Sequence, residues 1–246
     1  MYLRYTETGF LVILPEDDPH LIVDAMLKTD YSEEFCVSPD FDPDFIARLM
    51  GAGFLVMSTK LHEEENEEDN NDYILLPKLH LVRSALFFEN LHIKKSVKRF
   101  LNRYELRIDA DFHYILDRCI KVHGDDWLTP PLVDAIKTVR ETGNHLAQPA
   151  AGAYAAVKPM SFSLYRNGKL VAGEFGIKTG RVYTSYSGYY DESNAGTVQL
   201  ILTCRYLQEN GYAFFDLGMP LDYKTDLGAV NISPEEFVAL FRAAQG

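Results

Sequence analysis

Residues 161–182 read SFSLYRNGKLVAGEFGIKTGRV, and their pattern decides the fold. Phe162 and Leu164 alternate with Ser163 and Tyr165, the chain turns at Asn167-Gly168, and apolar residues resume at Leu170-Val171. A second turn at Thr179-Gly180 leads into Val182 and Tyr183. Period-two apolarity broken by Asn-Gly and Thr-Gly predicts consecutive antiparallel hairpins, because these residues supply the positive φ that a tight hairpin turn needs. Downstream, residues 194–211 (NAGTVQLILTCRYLQENG) place Val198, Leu200, Ile201, Leu202, Cys204 and Leu207 on a broad helical face that stops at Asn210-Gly211. The apolar run 212–215 then predicts a buried strand ending on Asp216. Hairpin, hairpin, helix and strand give a mixed α/β or α+β layer with polar groups presented where strands finish.

Composition bounds what this layer can serve. With 246 residues the chain can bury a full core in one large domain or two modest ones. A formal charge of −12 argues against a nucleic-acid coat or a membrane-surface protein. Much of that acidity sits in one run, 63–72 (EEENEEDNND), which reads as a solvated loop and leaves the remainder closer to neutral. Cys36, Cys119 and Cys204 are far apart with no paired spacing, and Cys119 and Cys204 fall on apolar helical faces. They read as inert core thiols, with no disulfide framework or metal set. No apolar run approaches the ~18 residues of a membrane span, and the start MYLRYTETGF has no leader pattern, so a cytoplasmic setting is expected.

Taken in order, residues 9–15 predict a short strand and 19–26 a helix. Asp40 or Asp42 can cap a second helix carrying Phe45, Ile46, Leu49 and Met50 on one face, and Gly51-Ala52-Gly53 ends it. Strands are expected at 54–57, 73–76 and 81–88. A small mixed N-terminal domain over 1–90 and a second domain over 91–246 follow. Residues 92–107 (HIKKSVKRFLNRYELR) hold Lys94, Lys95, Lys98, Arg99, Arg103 and Arg107 against Glu105. Helical spacing would put Lys95, Lys98 or Arg99, and Arg103 on one exposed ridge, which is either a phosphate-binding face or ordinary solvated surface. An amphipathic helix is expected over 109–122, and a further one after Trp127, Thr129 and two prolines, through Val139. Trp127, the one tryptophan, suits either the core or a flat wall for a ligand. Residues 143–158, rich in Ala, Gly and Pro, read as a loop or lid.

The order FHYILDRCI, DWLTPPLVDAIKTVRETG, LVAGEFGI, SNAG with its helix, FFDLG and DLGAVNISPEEF resembles the leucyl/phenylalanyl-tRNA protein transferases. HIKKSVKRF similarly resembles their basic His-x-Ser-Arg-Ser stretch. The resemblance runs from about residue 35 to the C-terminus and implies a GNAT-like mixed sheet flanked by helices in the second domain. It implies transfer of leucine or phenylalanine from aminoacyl-tRNA to the amino-terminal residue of an acceptor protein, marking that protein for degradation. By position, the family's orienting Asp corresponds to Asp216, its Gln to Gly218, and the Glu of its Gly-Glu-Ser turn to Tyr186. Its adenosine-stacking tryptophan corresponds to Trp127. Trp127, Tyr183, Tyr186, Ser187, Tyr189, Asn194 and Gly218 are thereby implied to bind substrate. Lys94, Lys95, Lys98, Arg99 and Arg103 are implied to meet the tRNA acceptor end.

An aminoacyl ester is already activated, so a positioned amine suffices and no cofactor or metal is expected. A monomer is expected. The missing Gln and Glu keep a second reading open, that of a tRNA or aminoacyl-binding module with reduced catalysis. A third, acyl-CoA-dependent N-acetylation, follows from fold analogy alone. It wants a glycine-rich pyrophosphate loop, where this chain has the acidic Tyr189-Tyr190-Asp191-Glu192-Ser193.

Overall fold

The computed structural model describes residues 3–29, 31, 33–61, 73–142 and 156–245. The acidic run and almost all of the 143–158 segment lie outside the described residues. The chain forms two compact units, one of Met1–Leu81 with Gly124–Val157, the other of Val82–His123 with Lys158–Gly246. A single cut at residue 90 differs from this division at 82–90 and at 124–157.

The first strands and helices in chain order are β1 (Arg4–Tyr5), β2 (Leu11–Val12), α1 (Pro19–Lys28), β3 (Cys36–Val37) and α2 (Pro43–Gly51). Asp42 caps α2, its side chain accepting from Phe45 N, and Pro43 pre-sets the first turn. The hairpin of β4 (Leu55–Lys60) and β5 (Tyr73–Lys78) follows. Pro77 lies inside β5, so this strand runs two residues beyond the expected 73–76. Then come β6 (Arg83–Leu86), α3 (Lys95–Lys98), β7 (Glu105–Ile108), α4 (Phe112–His123) and α5 (Pro130–Thr142). The remaining elements are β8 (Val157–Arg166), β9 (Lys169–Thr179), β10 (Val182–Tyr190), α6 (Ala195–Glu209), β11 (Phe214–Asp216), α7 (Asp222–Asp226), β12 (Val230–Ile232) and α8 (Pro234–Ala243).

In the first unit β1, β2 and β3 form a small sheet, and bridges Phe35–Lys78 and Ser38–Leu75 join its neighbourhood to the β4–β5 hairpin. Phe45, Ile46 and Leu49 of α2 and Leu132, Ile136 and Val139 of α5 are fully buried, giving this unit its own apolar centre. The second unit is built on a mixed seven-stranded sheet of order β12-β6-β11-β10-β9-β8-β7. Both expected hairpins are present, and Asn167 and Gly168 adopt φ of 51° and 76° at the first turn. β10 and β11 run parallel, with α6 crossing between them, and Val198, Ile201, Cys204 and Leu207 of α6 are buried. The fold class is therefore mixed α+β, with helices flanking a mixed sheet.

Residues 92–107 depart from expectation. Instead of one helix they make the four-residue α3, a 3-10 turn at Leu101–Arg103 and the edge strand β7. Pairing of Glu105–Ile108 with Tyr165–Phe162 of β8 takes the end of this segment into the sheet. Tertiary strand pairing here overrides helical periodicity.

Candidate functional site

Strand pairing sets Asp216 at the centre of the second unit. Thr184 lies beside it across the parallel pair, and Ala85 of β6 lies on its other side. The carboxylate accepts hydrogen bonds from Arg83 Nε at 2.8 Å, Arg83 Nη2 at 2.6 Å, Thr184 Oγ1 at 2.8 Å and Gly218 N at 3.0 Å. Asp216 and Arg83 are both buried, and the guanidinium carbon sits 4.2 Å from the centre of the Phe237 ring. Burial pushes the Asp216 carboxyl up, but the Arg83 charge and these hydrogen bonds outweigh it and hold the group below the ordinary aspartate value. Gly218, with φ of 70°, makes the turn that returns its amide to the carboxylate. This geometry braces the loop after β11.

Lys224 completes the brace. It is buried, and its Nζ donates to Leu217 O at 2.6 Å and Met219 O at 2.7 Å. Burial lowers its ammonium to about 8, against the raising influence of Asp216 and Glu174.

A bulge between Ser185 and Ser187 decides which way the remaining candidates point. Tyr183, before the bulge, packs its ring 5.0 Å from Phe162 and 5.5 Å from Phe215, in a core shared with Cys204 and Leu207 of α6. Tyr186, after it, meets Phe175, while Ser187 hydrogen-bonds near Cys119 and Tyr189 stacks under Arg118, both residues of α4. Tyr186, Ser187 and Tyr189 are thus together on the α4 face, and Tyr183 is apart from them on the α6 face. Asn194 is exposed at the start of α6 with φ of 68° and makes no side-chain cap. Trp127 belongs to the first unit and is half-buried, its carbonyl accepting from Ser58 N while Ser58 and Thr129 share a buried 2.7 Å hydrogen bond.

Glu174 escaped the sequence reading. It lies on the α6 face of β9, since its neighbours Gly173 and Phe175 meet Ile115 and Phe112 of α4. Burial raises its carboxyl to about 7, opposed by Tyr183, Ser185, Gln199 and the Lys224 charge. The signal was an acid in the middle of the apolar run LVAGEFGI; Arg83, inside LVRSALFF, carries the same mark.

The basic residues form a real concavity. Leu91, His92, Ile93, Lys94, Lys95, Lys98 and Arg205 line a cavity of about 620 Å³. Arg205, contributed by α6, was not anticipated. Lys94 Nζ pairs with Asp226 at 2.5 Å on the exposed surface. Arg99 and Arg103 instead flank Phe100, 4.8 and 4.9 Å from its ring centre, and do not line the cavity. His92 N donates to Leu227 O, and Gly228 packs against Asn90, so the loop before β12 holds this segment in place. Among the described residues no cluster of His, Cys, Asp or Glu is placed to share a metal ion, and no helix is long and apolar enough to cross a membrane.

The family model described as leucyl/phenylalanyl-tRNA protein transferase matches residues 85–242, more than half of the chain. A protein of that name from Pseudomonas putida (strain W619) is 29% identical over 160 residues, covering 63% of this chain and 65% of its own length. Another from Dinoroseobacter shibae (strain DSM 16493 / NCIMB 14021 / DFL 12) is 25% identical over 212 residues, covering 84% of this chain and 82% of its own length. The chain thus spans just under two thirds of the first of these relatives and more of the second. Among solved structures, that of L-PGS from Bacillus licheniformis aligns over 98% of this chain and 88% of its own with a TM-score of 0.40 and 12% identity, a likeness that carries no argument.

Proposed function

This chain belongs to the leucyl/phenylalanyl-tRNA protein transferase family, and on that footing we propose that it is an aminoacyltransferase using aminoacyl-tRNA as donor and the N-terminal amine of an acceptor protein as nucleophile. The observation that carries the proposal is the family match across 85–242, which takes in most of the second unit's sheet. In this reading the acceptor's amine attacks the ester carbonyl, the new C–N bond forms as the C–O bond to the tRNA breaks, and the ribose oxygen leaves with a proton. Proximity and orientation supply most of what such a reaction needs.

Residues 91–246 would be the GNAT-like transfer domain and 1–90 the smaller one. Trp127, Tyr186, Ser187 and Tyr189 would contact the charged tRNA end, with Asn194 at the start of α6. Asp216 would act on the acceptor side. Its four hydrogen bonds to Arg83, Thr184 and Gly218 support a positioning role, shaping the Leu217–Met219 turn, over direct capture of the amine. Lys94, Lys95, Lys98 and Arg205 would neutralise tRNA phosphates, with Arg99 and Arg103 nearby. The protein would act as a cytoplasmic monomer in N-terminal-residue-dependent degradation. Acyl-CoA chemistry is not favoured, because Asp191 and Glu192 pair with Arg118 and Arg166 where a glycine-rich anion loop would be needed.

The test incubates the protein with labelled aminoacyl-tRNAs and peptides beginning with Arg, Lys, Asp or Glu. Transfer to a peptide is expected. Charged tRNA bound without transfer would leave a binding module. Replacing Lys95, Lys98 and Arg205 with Gln should lower the salt slope of tRNA binding by roughly 2 to 3. An unchanged slope would reduce the cavity to solvated surface.

A further inference from the structure

Glu174 is 2% exposed in the middle of β9, and its Oε1 makes no hydrogen bond. The hydroxyl of Tyr183 lies within its influence and is also unpartnered. Tyr183, Ser185 and Gln199 lie close enough to the carboxylate to stabilise its charge, yet Oε1 and the Tyr183 hydroxyl find no partner in good hydrogen-bond geometry among the described residues, and interiors rarely leave such atoms unmatched. The groups facing Glu174 are Tyr183 and Ser185 from β10, Gln199 from α6, and Tyr223 and Lys224 from α7. Gln199 spends an amide hydrogen on Thr203. Lys224 does not pair with the acid either, since its ammonium is turned to the carbonyls of Leu217 and Met219.

The acid is buried but not remote from solvent. Tyr223 of α7 feels its charge and is itself 50% exposed, and Met219 and Leu221 in the loop before α7 are 53% and 40% exposed. Gly176 matters here too. A side chain there would collide with the Tyr183 ring and hydroxyl, so its absence is what lets Tyr183 lie back along β9 toward Glu174. Exposed apolar side chains on the neighbouring segment, with one carboxylate oxygen and one hydroxyl left over beneath, suit a side chain with an aliphatic stem and a cationic head.

We propose that Glu174 and Tyr183 are specificity-determining groups of the second unit, receiving the ammonium or guanidinium of a cationic aminoacyl group, lysyl or arginyl, carried by the tRNA. This rests on the aminoacyl-tRNA reading above and changes its donor from the leucine and phenylalanine of the family's name.

The experiment measures binding of the full chain to tRNA charged with lysine, arginine, leucine or phenylalanine, each against the same tRNA uncharged. For the wild type, the charged-to-uncharged affinity ratio should be about tenfold to a hundredfold for lysine or arginine, the scale of a hydrogen bond to a charged group, and smaller for leucine and phenylalanine. Glu174→Gln should bring the lysine and arginine ratios near one, and Tyr183→Phe should lower them several-fold. Thermal melts establish that each variant is folded, and should either fail to fold, the other and the wild-type panel still decide. A wild-type preference for leucine or phenylalanine overturns the inference alone. So does a cationic preference that survives Glu174→Gln. If no tRNA binds, charged or uncharged, the aminoacyl-tRNA reading falls and this inference falls with it.

Discussion

Exchanging Asp216 for Asn keeps the size of the side chain and removes its charge, and the structure makes stability the first readout. The carboxylate accepts from Arg83 Nε and Nη2, from Thr184 Oγ1 and from Gly218 N. An amide has one acceptor oxygen and turns a donor nitrogen toward other donors. Arg83, 1% exposed, keeps its charge and loses its counter-charge. Removing one partner of a buried pair costs about 3–5 kcal/mol, which for a chain of this size lowers the melting temperature by roughly 6–20 °C. The sign with pH follows from the lowered native pKa. The pair's stabilisation is present above the ordinary aspartate value near 3.9 and is lost as pH falls through the lower native value. Asp216→Asn should therefore lie below the wild type at pH 7 and lose less on acidification. The assay is thermal and urea denaturation between pH 2.5 and 7, with Arg83→Met, Asp216→Leu and the double variant Arg83→Met/Asp216→Leu completing a cycle. The double variant should recover much of the loss, since an apolar pair of similar volume leaves no stranded charge. A single variant melting within about 2 °C of the wild type, or a double variant worse than either single, would refute the account of Asp216 as a buried brace.

The other predictions are shorter. Glu174 has a native carboxyl raised to about 7 from 4.5, so the native state binds the extra proton and stability falls by about 3 kcal/mol as pH rises across that window; Glu174→Gln should flatten that slope in denaturation curves from pH 4.5 to 8 and be the more stable form at pH 8. Gly228→Ala introduces a side chain at φ of 96° and 2.0 Å from the Asn90 carbonyl, and should cost at least about 1–3 kcal/mol in urea melts while displacing the segment that lines the basic cavity, read as weaker tRNA binding. Asp42→Ala removes the cap on α2, where its carboxylate accepts from Phe45 N at 2.9 Å, and should lower unfolding free energy by about 1 kcal/mol without changing the salt slope of tRNA binding.

The elements legible in the sequence are those whose local signals agree with their packing. Asn167-Gly168 marks a hairpin because both residues must adopt positive φ, and both do. The α6 segment combines apolar spacing with an Asn-Gly stop, and α2 combines a capping aspartate with Pro43. Residues 92–107 were misread because the cue there was only the spacing of charges and apolar residues. That spacing was satisfied by Val97 and Leu101 entering the core from a short helix and a turn. The chain then took up an edge position beside β8, a partner 54 to 60 residues away that no local window contains.

The site was harder to read for a different reason. Tyr183, Tyr186, Ser187 and Tyr189 were grouped by what the resemblance implies, and one extra residue between Ser185 and Ser187 puts Tyr183 on the face opposite the others. Nothing local in TSYSG announces that residue, so the aromatic cluster looked continuous when it straddles the sheet. Asp216 can be read in two ways. An acid at the end of an apolar strand suggests a group offered to a ligand, and the same residue type serves equally as the acceptor that neutralises a buried arginine. The discriminating sign was in the partners: Arg83, Glu174 and Lys224 each interrupt apolar surroundings, and a charge that enters a core must be matched there or by something bound. Arg83 is matched by Asp216 at Nε and Nη2, with Nη1 left over, and Lys224 by two carbonyls. Glu174 is neighboured by Tyr183, Ser185 and Gln199, but its Oε1 finds no hydrogen-bond partner among the described residues, and in the proposal above that leftover acceptor is where a cationic side chain would bind.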